Sequence, residues 1–101
     1  MRFQVSKEAE QDLDKIFVYW ARHAGLQVAD KFLEAIERRF ALIGEFPHVG
    51  RKCGEIAPEV LSFPAGKYLI YYRKARGILQ ILHVFHGARN QASALMRDKG
   101  R

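Results

Sequence analysis

Cysteine is nearly missing from this chain: Cys53 is the only one among 101 residues. No disulfide can close within the chain, and no cluster of thiol ligands exists for a structural zinc, which suits a reducing cytosol. Long apolar runs are missing as well. No stretch approaches the roughly 18 apolar residues of a membrane span, and the opening Met1, Arg2, Phe3 soon turns charged without a signal-like apolar run. The expectation is a soluble, cytoplasmic protein with no membrane partner. There is no internal repeat, low-complexity segment or linker, so residues 1–101 are read as one domain.

Acid is scarce in one half only. Residues 1–46 hold seven Lys/Arg and eight Asp/Glu, giving −1, whereas residues 47–101 hold ten and three, giving +7. The total of +6 is therefore a property of the C-terminal half. Such a field attracts nucleic acid, an acidic protein surface or an acidic partner segment, and charge alone does not choose among them. Twelve aromatics and a hydrophobic fraction of 49% are enough for a packed core, which separates the chain from disordered basic tails.

Phe3 and Val5 alternate with polar neighbours as a short strand, and Ser6 is placed to cap a helix with Glu8 in its first turn. Leu13, Ile16, Phe17 and Trp20 recur at helical spacing until Gly25 stops them. A second helical stripe runs through Ala29, Phe32, Leu33, Ile36, Phe40 and Ile43, ended by Pro47 and Gly50. The short break at Gly25 makes residues 6–46 a helical hairpin. After a loop from Pro47 to Pro58 come three strand-like runs, around Val60–Phe63, Tyr68–Tyr72 and Ile78–Phe85, with a hairpin turn at Lys74–Gly77. Tyr68–Tyr72 is apolar on both faces, as a central strand is. The order predicts an α+β domain, with the helical hairpin packed on one face of a small, mostly antiparallel sheet. A short helix or tail from Asn90 through Met96 follows.

These residues resemble a known family. The opening FQVSKEAEQDLDKIFVYW, the helix-ending IGEFPHVGR and the run SFPAGKYLIYYRKARGILQILHVFHGARN look like ParE-type toxins of the RelE/ParE toxin–antitoxin superfamily, over roughly residues 3 to 92. The matching positions are Ser6, Ala9, Asp12, Leu13 and Ile16, then Pro47 and Gly50, then Tyr68, Tyr72, Arg73, His86, Gly87 and Arg89. The resemblance implies a cytoplasmic type II toxin without a cofactor, held in a hetero-oligomer by a cognate ParD-like antitoxin whose disordered C-terminal region wraps it. It also implies DNA gyrase as the target of ParE members, against ribosome-dependent mRNA cleavage for RelE members.

Chemistry separates the two branches. Cleaving RNA without a metal requires a base, an acid and cations placed around the phosphate. The candidates are Lys67, Arg73, His86 and Arg89, which serve as target-binding residues in the preferred, non-enzymatic reading and as catalytic residues if the chain is an endoribonuclease. Two features weigh against cleavage. The run VLSFP carries no Arg or Lys, with Leu61 at a position often basic in the family, and the tail after Arg89 has no Tyr or His for proton transfer. A third reading is a degenerate, non-toxic antitoxin-binding module.

His83 is assigned a structural role. Strict alternation puts it on one face with Ile81 and Phe85 and puts His86 on the other with Leu82 and Val84, so a two-histidine metal site is rejected. Tyr68, Tyr71 and Tyr72 are read as core and rim of the central strand rather than as a base-stacking platform. Tyr19 and Trp20 are expected to pack the hairpin against the sheet, and Arg38 and Arg39 to lie on a solvated helix face.

Overall fold

The computed structural model describes residues 2–87. Strand β1 (Phe3–Val5) leads into helix α1 (Lys7–Ala24), and helix α2 (Leu26–Glu45) returns beside it. Ser6 joins the first two elements. Its hydroxyl accepts the Ala9 N–H at 3.0 Å, which satisfies one orphan donor of the first helical turn, and donates to the Leu82 carbonyl at 2.9 Å. Gly25 breaks the helices with a φ of 94°, a conformation costly for residues with a Cβ. The antiparallel pair that results is the hairpin anticipated from the two apolar stripes.

Four further strands follow: β2 (Arg51–Lys52), β3 (Leu61–Ala65), β4 (Tyr68–Ala75) and β5 (Ile78–His86). They form one sheet with β1 in the order β1-β5-β4-β3-β2. All pairings are antiparallel except β1 with β5, so the sheet is mixed, and β4 is its centre. The turn from β4 to β5 carries Arg76 at φ 55° and Gly77 at φ 75°, the two positive values that a two-residue type I′ hairpin needs. Strand β2 has no periodic signal because it is two residues long. It lies within the segment expected to be loop.

The sheet buries both faces, as the apolar run of β4 requires. On one face Tyr68, Ile70, Tyr72, Leu79, Ile81 and Val84 meet Ala9, Ile16, Ile36, Phe40 and Ile43 of the helices. On the other, Tyr71 packs with Cys53 and Val60, and Leu69, Leu82, Phe85, Ile56 and Ala57 surround them. The segment between β2 and β3 thus covers the outer face. Burial raises the pKa of the Tyr71 and Tyr72 phenols above the ordinary 10.0, because the phenolate is the form that loses most on leaving water. The Tyr72 hydroxyl accepts the Gly50 N–H at 2.9 Å and donates to the Pro47 carbonyl at 3.0 Å, which ties the loop after α2 to the central strand.

One irregularity corrects the alternation expected for β5. Tyr71 is opposite His83 but Tyr72 is opposite Ile81, so Leu82 is an extra residue, a β-bulge. Ile81 therefore faces the helices, while His83 stacks on Phe85 at 4.6 Å. The expected grouping of His83 with Ile81 fails at the bulge, and Leu82 joins the outer cluster instead of sharing a face with Val84.

Candidate functional site

A groove of about 620 Å³ opens between α1 and the end of the sheet where β4 begins and β5 ends. Helix α1 supplies Asp12, Lys15, Ile16, Tyr19 and Trp20, a stripe at helical spacing, and the sheet supplies Lys67, Tyr68, Val84, Phe85 and His86. Its floor is fixed by side chains that hold one another. The Trp20 indole N–H donates to the Tyr68 hydroxyl at 2.9 Å and the indole stacks on Phe32 at 4.2 Å. Tyr68 meets the His86 ring edge-on at 5.4 Å, and the Gly87 N–H donates to the Lys67 carbonyl at 2.7 Å. The result is an apolar floor with cations, Lys15 and Lys67, among the groups around it.

One wall is an edge of β5. Strand β1 pairs only as far as Val5 with Ile81, so beyond that point β5 has no strand on this side. Helix α1 supplies the missing partners. Ser6 takes up the Leu82 carbonyl, and the Asp12 carboxylate accepts the Val84 N–H at 3.0 Å and contacts His83 Nδ1 at 2.9 Å. Both Asp12 and His83 are half-buried, and this pairing occupies His83 structurally.

The four candidate residues do not gather at one point. Lys67 and His86 lie together, because Tyr68 is directly opposite His86. Arg73 lies six residues further along the strand, roughly 20 Å away at about 3.3 Å per residue. It follows core-facing Tyr72 and so points to the outer face. There its Nε donates to Gln80 Oε1 at 2.8 Å and its guanidinium stands 3.7 Å from Glu59. Arg89 and the anticipated helix from Asn90 lie outside the described residues. The rings of His83 and His86 contact opposite faces of the sheet, through Phe85 and Tyr68 respectively. No group of three or more His, Cys, Asp or Glu placed to hold a metal ion occurs among the described residues.

Trp20 packs as the sequence predicts, but Tyr19 does not. The residue is 49% exposed, and its ring stacks on His23 at 4.1 Å, one turn along the same helix. Sequence reasoning also missed Asp12 and Lys15 as groove residues. The available signal was their spacing from Tyr19, since positions 12, 15 and 19 share one helical face.

The family model described as ParE toxin of type II toxin-antitoxin system, parDE, matches residues 3–91. Toxin ParE3 of Caulobacter vibrioides is 30% identical over 84 residues, covering 83% of this chain and 84% of that protein. Toxin ParE1 of Mycobacterium tuberculosis is 26% identical over 86 residues, covering 84% and 88%. Among solved structures, a chain of the chromosomal ParDE TA system from P. aeruginosa shares the fold with a TM-score of 0.76. It is 19% identical and is covered to 95%, with 85% of this chain aligned. Sequence and fold agree, and the chain belongs to the ParE toxin family of type II toxin–antitoxin systems.

Proposed function

We propose that this toxin acts by binding DNA gyrase rather than by cutting RNA, and that a cognate ParD-like antitoxin neutralises it. The observation that carries this reading is the spread of its cations. Lys67 and His86 stand at one end of β4 and Arg73 at the other, on the outer face, whereas phosphodiester cleavage needs acid, base and cation about a single phosphate. Groups distributed over about 20 Å serve adhesion to a large acidic surface better than chemistry at one atom. Poisoning then follows from preferential binding to one state of the target, the cleaved-DNA state. The basic end of the chain, with Arg89, belongs to the same target-binding set.

The groove beside α1 suits the antitoxin. An amphipathic acidic segment can lay its apolar side on Trp20, Tyr68 and Ile16 and its carboxylates beside Lys15 and Lys67. Reversing both charges, Lys15→Glu with Lys67→Glu, is expected to weaken antitoxin capture at least tenfold in a pull-down titration.

The deciding experiment for the target is a supercoiling assay with purified gyrase. Falling supercoiling with accumulation of cleaved DNA supports the proposal, and undiminished supercoiling at saturating toxin rejects it. Transcripts cut on translating ribosomes would instead identify an endoribonuclease. Expression without antitoxin and without any growth defect would identify a binding module that has lost toxicity.

A further inference from the structure

Exposed cations also collect at the opposite end of the sheet, where the β4–β5 hairpin turns. Arg73 and Lys74 close β4 and Arg76 occupies the turn, three cations in four residues. Arg2 joins them across the sheet, because its carbonyl accepts the Leu79 N–H at 3.0 Å, one residue into β5. Among the described residues only Glu59 offsets them, by its contact with Arg73, and Arg2, Lys74 and Arg76 form no ion pair. Gln80 lies opposite Arg73 on β4 and opposite Gln4 on β1, so these three polar side chains make one row on the outer face. The row spans three strands, about 10 Å.

Three observations identify the kind of partner. Phe3, between Arg2 and Gln4, is 40% exposed but turns its ring onto Phe40 of α2 at 6.1 Å, away from the row of polar side chains; protein interfaces concentrate their affinity in buried aromatic and apolar centres, whereas DNA interfaces are polar and strongly positive. Its tip is a narrow ribbon: β3 stops pairing at Tyr72 and β1 at Leu79, so only the turn and the Ala75–Ile78 pair project beyond both flanking strands. A two-stranded ribbon fits the B-DNA major groove, whereas the major groove of duplex RNA is too deep and narrow to admit one. Finally, Arg76 takes a left-handed φ where Asn or Gly would be at ease, which keeps a cation at the outermost point of the turn.

We propose that the β4–β5 hairpin end is a docking surface for duplex DNA, with Arg2, Lys74 and Arg76 on the phosphates and the ribbon tip in the major groove. This surface is separate from the groove beside α1 and does not depend on gyrase being the target. The test contains no topoisomerase, so its failure leaves that reading intact. Binding of the full-length chain to a fluorescent 20-base-pair duplex is followed by anisotropy across a salt series. The double variant Lys74→Gln, Arg76→Asn should bind about tenfold more weakly and lower the slope of log affinity against log salt by about 2, near one for each phosphate no longer neutralised. Asn tolerates the left-handed turn, so the variant keeps its fold, which circular dichroism verifies. A charge-matched control, Lys7→Gln with Lys31→Gln, should stay close to the parent. Unchanged binding by the hairpin variant, an equal loss in the control, no binding by the parent at low salt, or equal affinity for duplex RNA would each overturn the proposal.

Discussion

Replacing Asp12 with alanine tests how the exposed edge of β5 is held. One carboxylate oxygen takes the Val84 N–H at 3.0 Å and the His83 ring nitrogen at 2.9 Å, joining α1 to residues 71 and 72 positions away. A hydrogen bond to a charged group contributes about 1.5–3 kcal/mol net, so two would approach about 3–6 kcal/mol if fully shielded. Water reaches both partners, because the side chains keep 15% and 20% of their exposure, and it replaces part of what is lost. The expected cost of Asp12→Ala is therefore about 2–3 kcal/mol. For a domain of this size that lowers Tm by roughly 10–20 °C. Asp12→Asn keeps an acceptor for the Val84 N–H and should lose only about 1 kcal/mol. Denaturant titration gives both values, and hydrogen exchange at Val84 reports the edge directly. An alanine variant within about 0.5 kcal/mol of the parent, with Val84 still protected, would mean that the carboxylate does not seal the strand.

Gly50 makes a second local test: a Cβ there would stand 2.5 Å from the Tyr72 hydroxyl oxygen and 2.8 Å from the Ser62 carbonyl oxygen. Gly50→Ala should cost about 1–3 kcal/mol by overpacking, while Gly54→Ala, with nothing within 4 Å, should be near neutral by the same denaturant measurement. The buried phenols predict an alkaline limit. Their folded pKa values lie above the unfolded 10.0, so their contribution to stability is complete below pH 10 and is lost as pH rises through the folded values. Absorbance of tyrosinate should show Tyr71 and Tyr72 ionising later than a model phenol, and Tyr71→Phe and Tyr72→Phe should each remove one late step. Ionisation of both at the ordinary value in the folded state would contradict the burial argument.

The elements readable from sequence are those whose physics is local. Two stripes at helical spacing gave α1 and α2, Ser6 gave the N-cap, Arg76-Gly77 sat in the expected hairpin turn, and the unbroken apolar run of β4 announced a strand covered twice. What escaped depends on distant partners. The parallel pairing of β1 with β5 joins residues more than 70 positions apart, and β2 exists only because Arg51 and Lys52 find β3. The bulge at Leu82 is set where β5 meets β4, so alternation along β5 alone misassigned Ile81. For the site, charge and residue type singled out Lys67 and His86, which do adjoin. Arg73 carries the same charge, but its place at the far end of β4 is a matter of register that no composition reveals.

Register also bears on Leu61, the position where the family resemblance implies a basic residue. Leu61 is half-buried against the main core, and β2 sets Lys52 directly across the ladder from it. Side chains so paired share a face with Cβ atoms about 5 Å apart, so Lys52 places a cation beside the spot that Leu61 leaves neutral. Leu61→Arg therefore adds a like charge opposite Lys52 and removes apolar packing, at an expected cost of about 1–3 kcal/mol. Exchanging the two residues, Lys52→Leu with Leu61→Lys, keeps one cation and one leucine across the same pair. The exchange should be more stable than Leu61→Arg and, on the proposed target-binding reading, should retain growth inhibition, whereas Lys52→Leu alone should reduce it. If Lys52→Leu inhibits growth as fully as the parent, the cation at this ladder position plays no part in binding the target, and the absence of a base at Leu61 is simply a core choice.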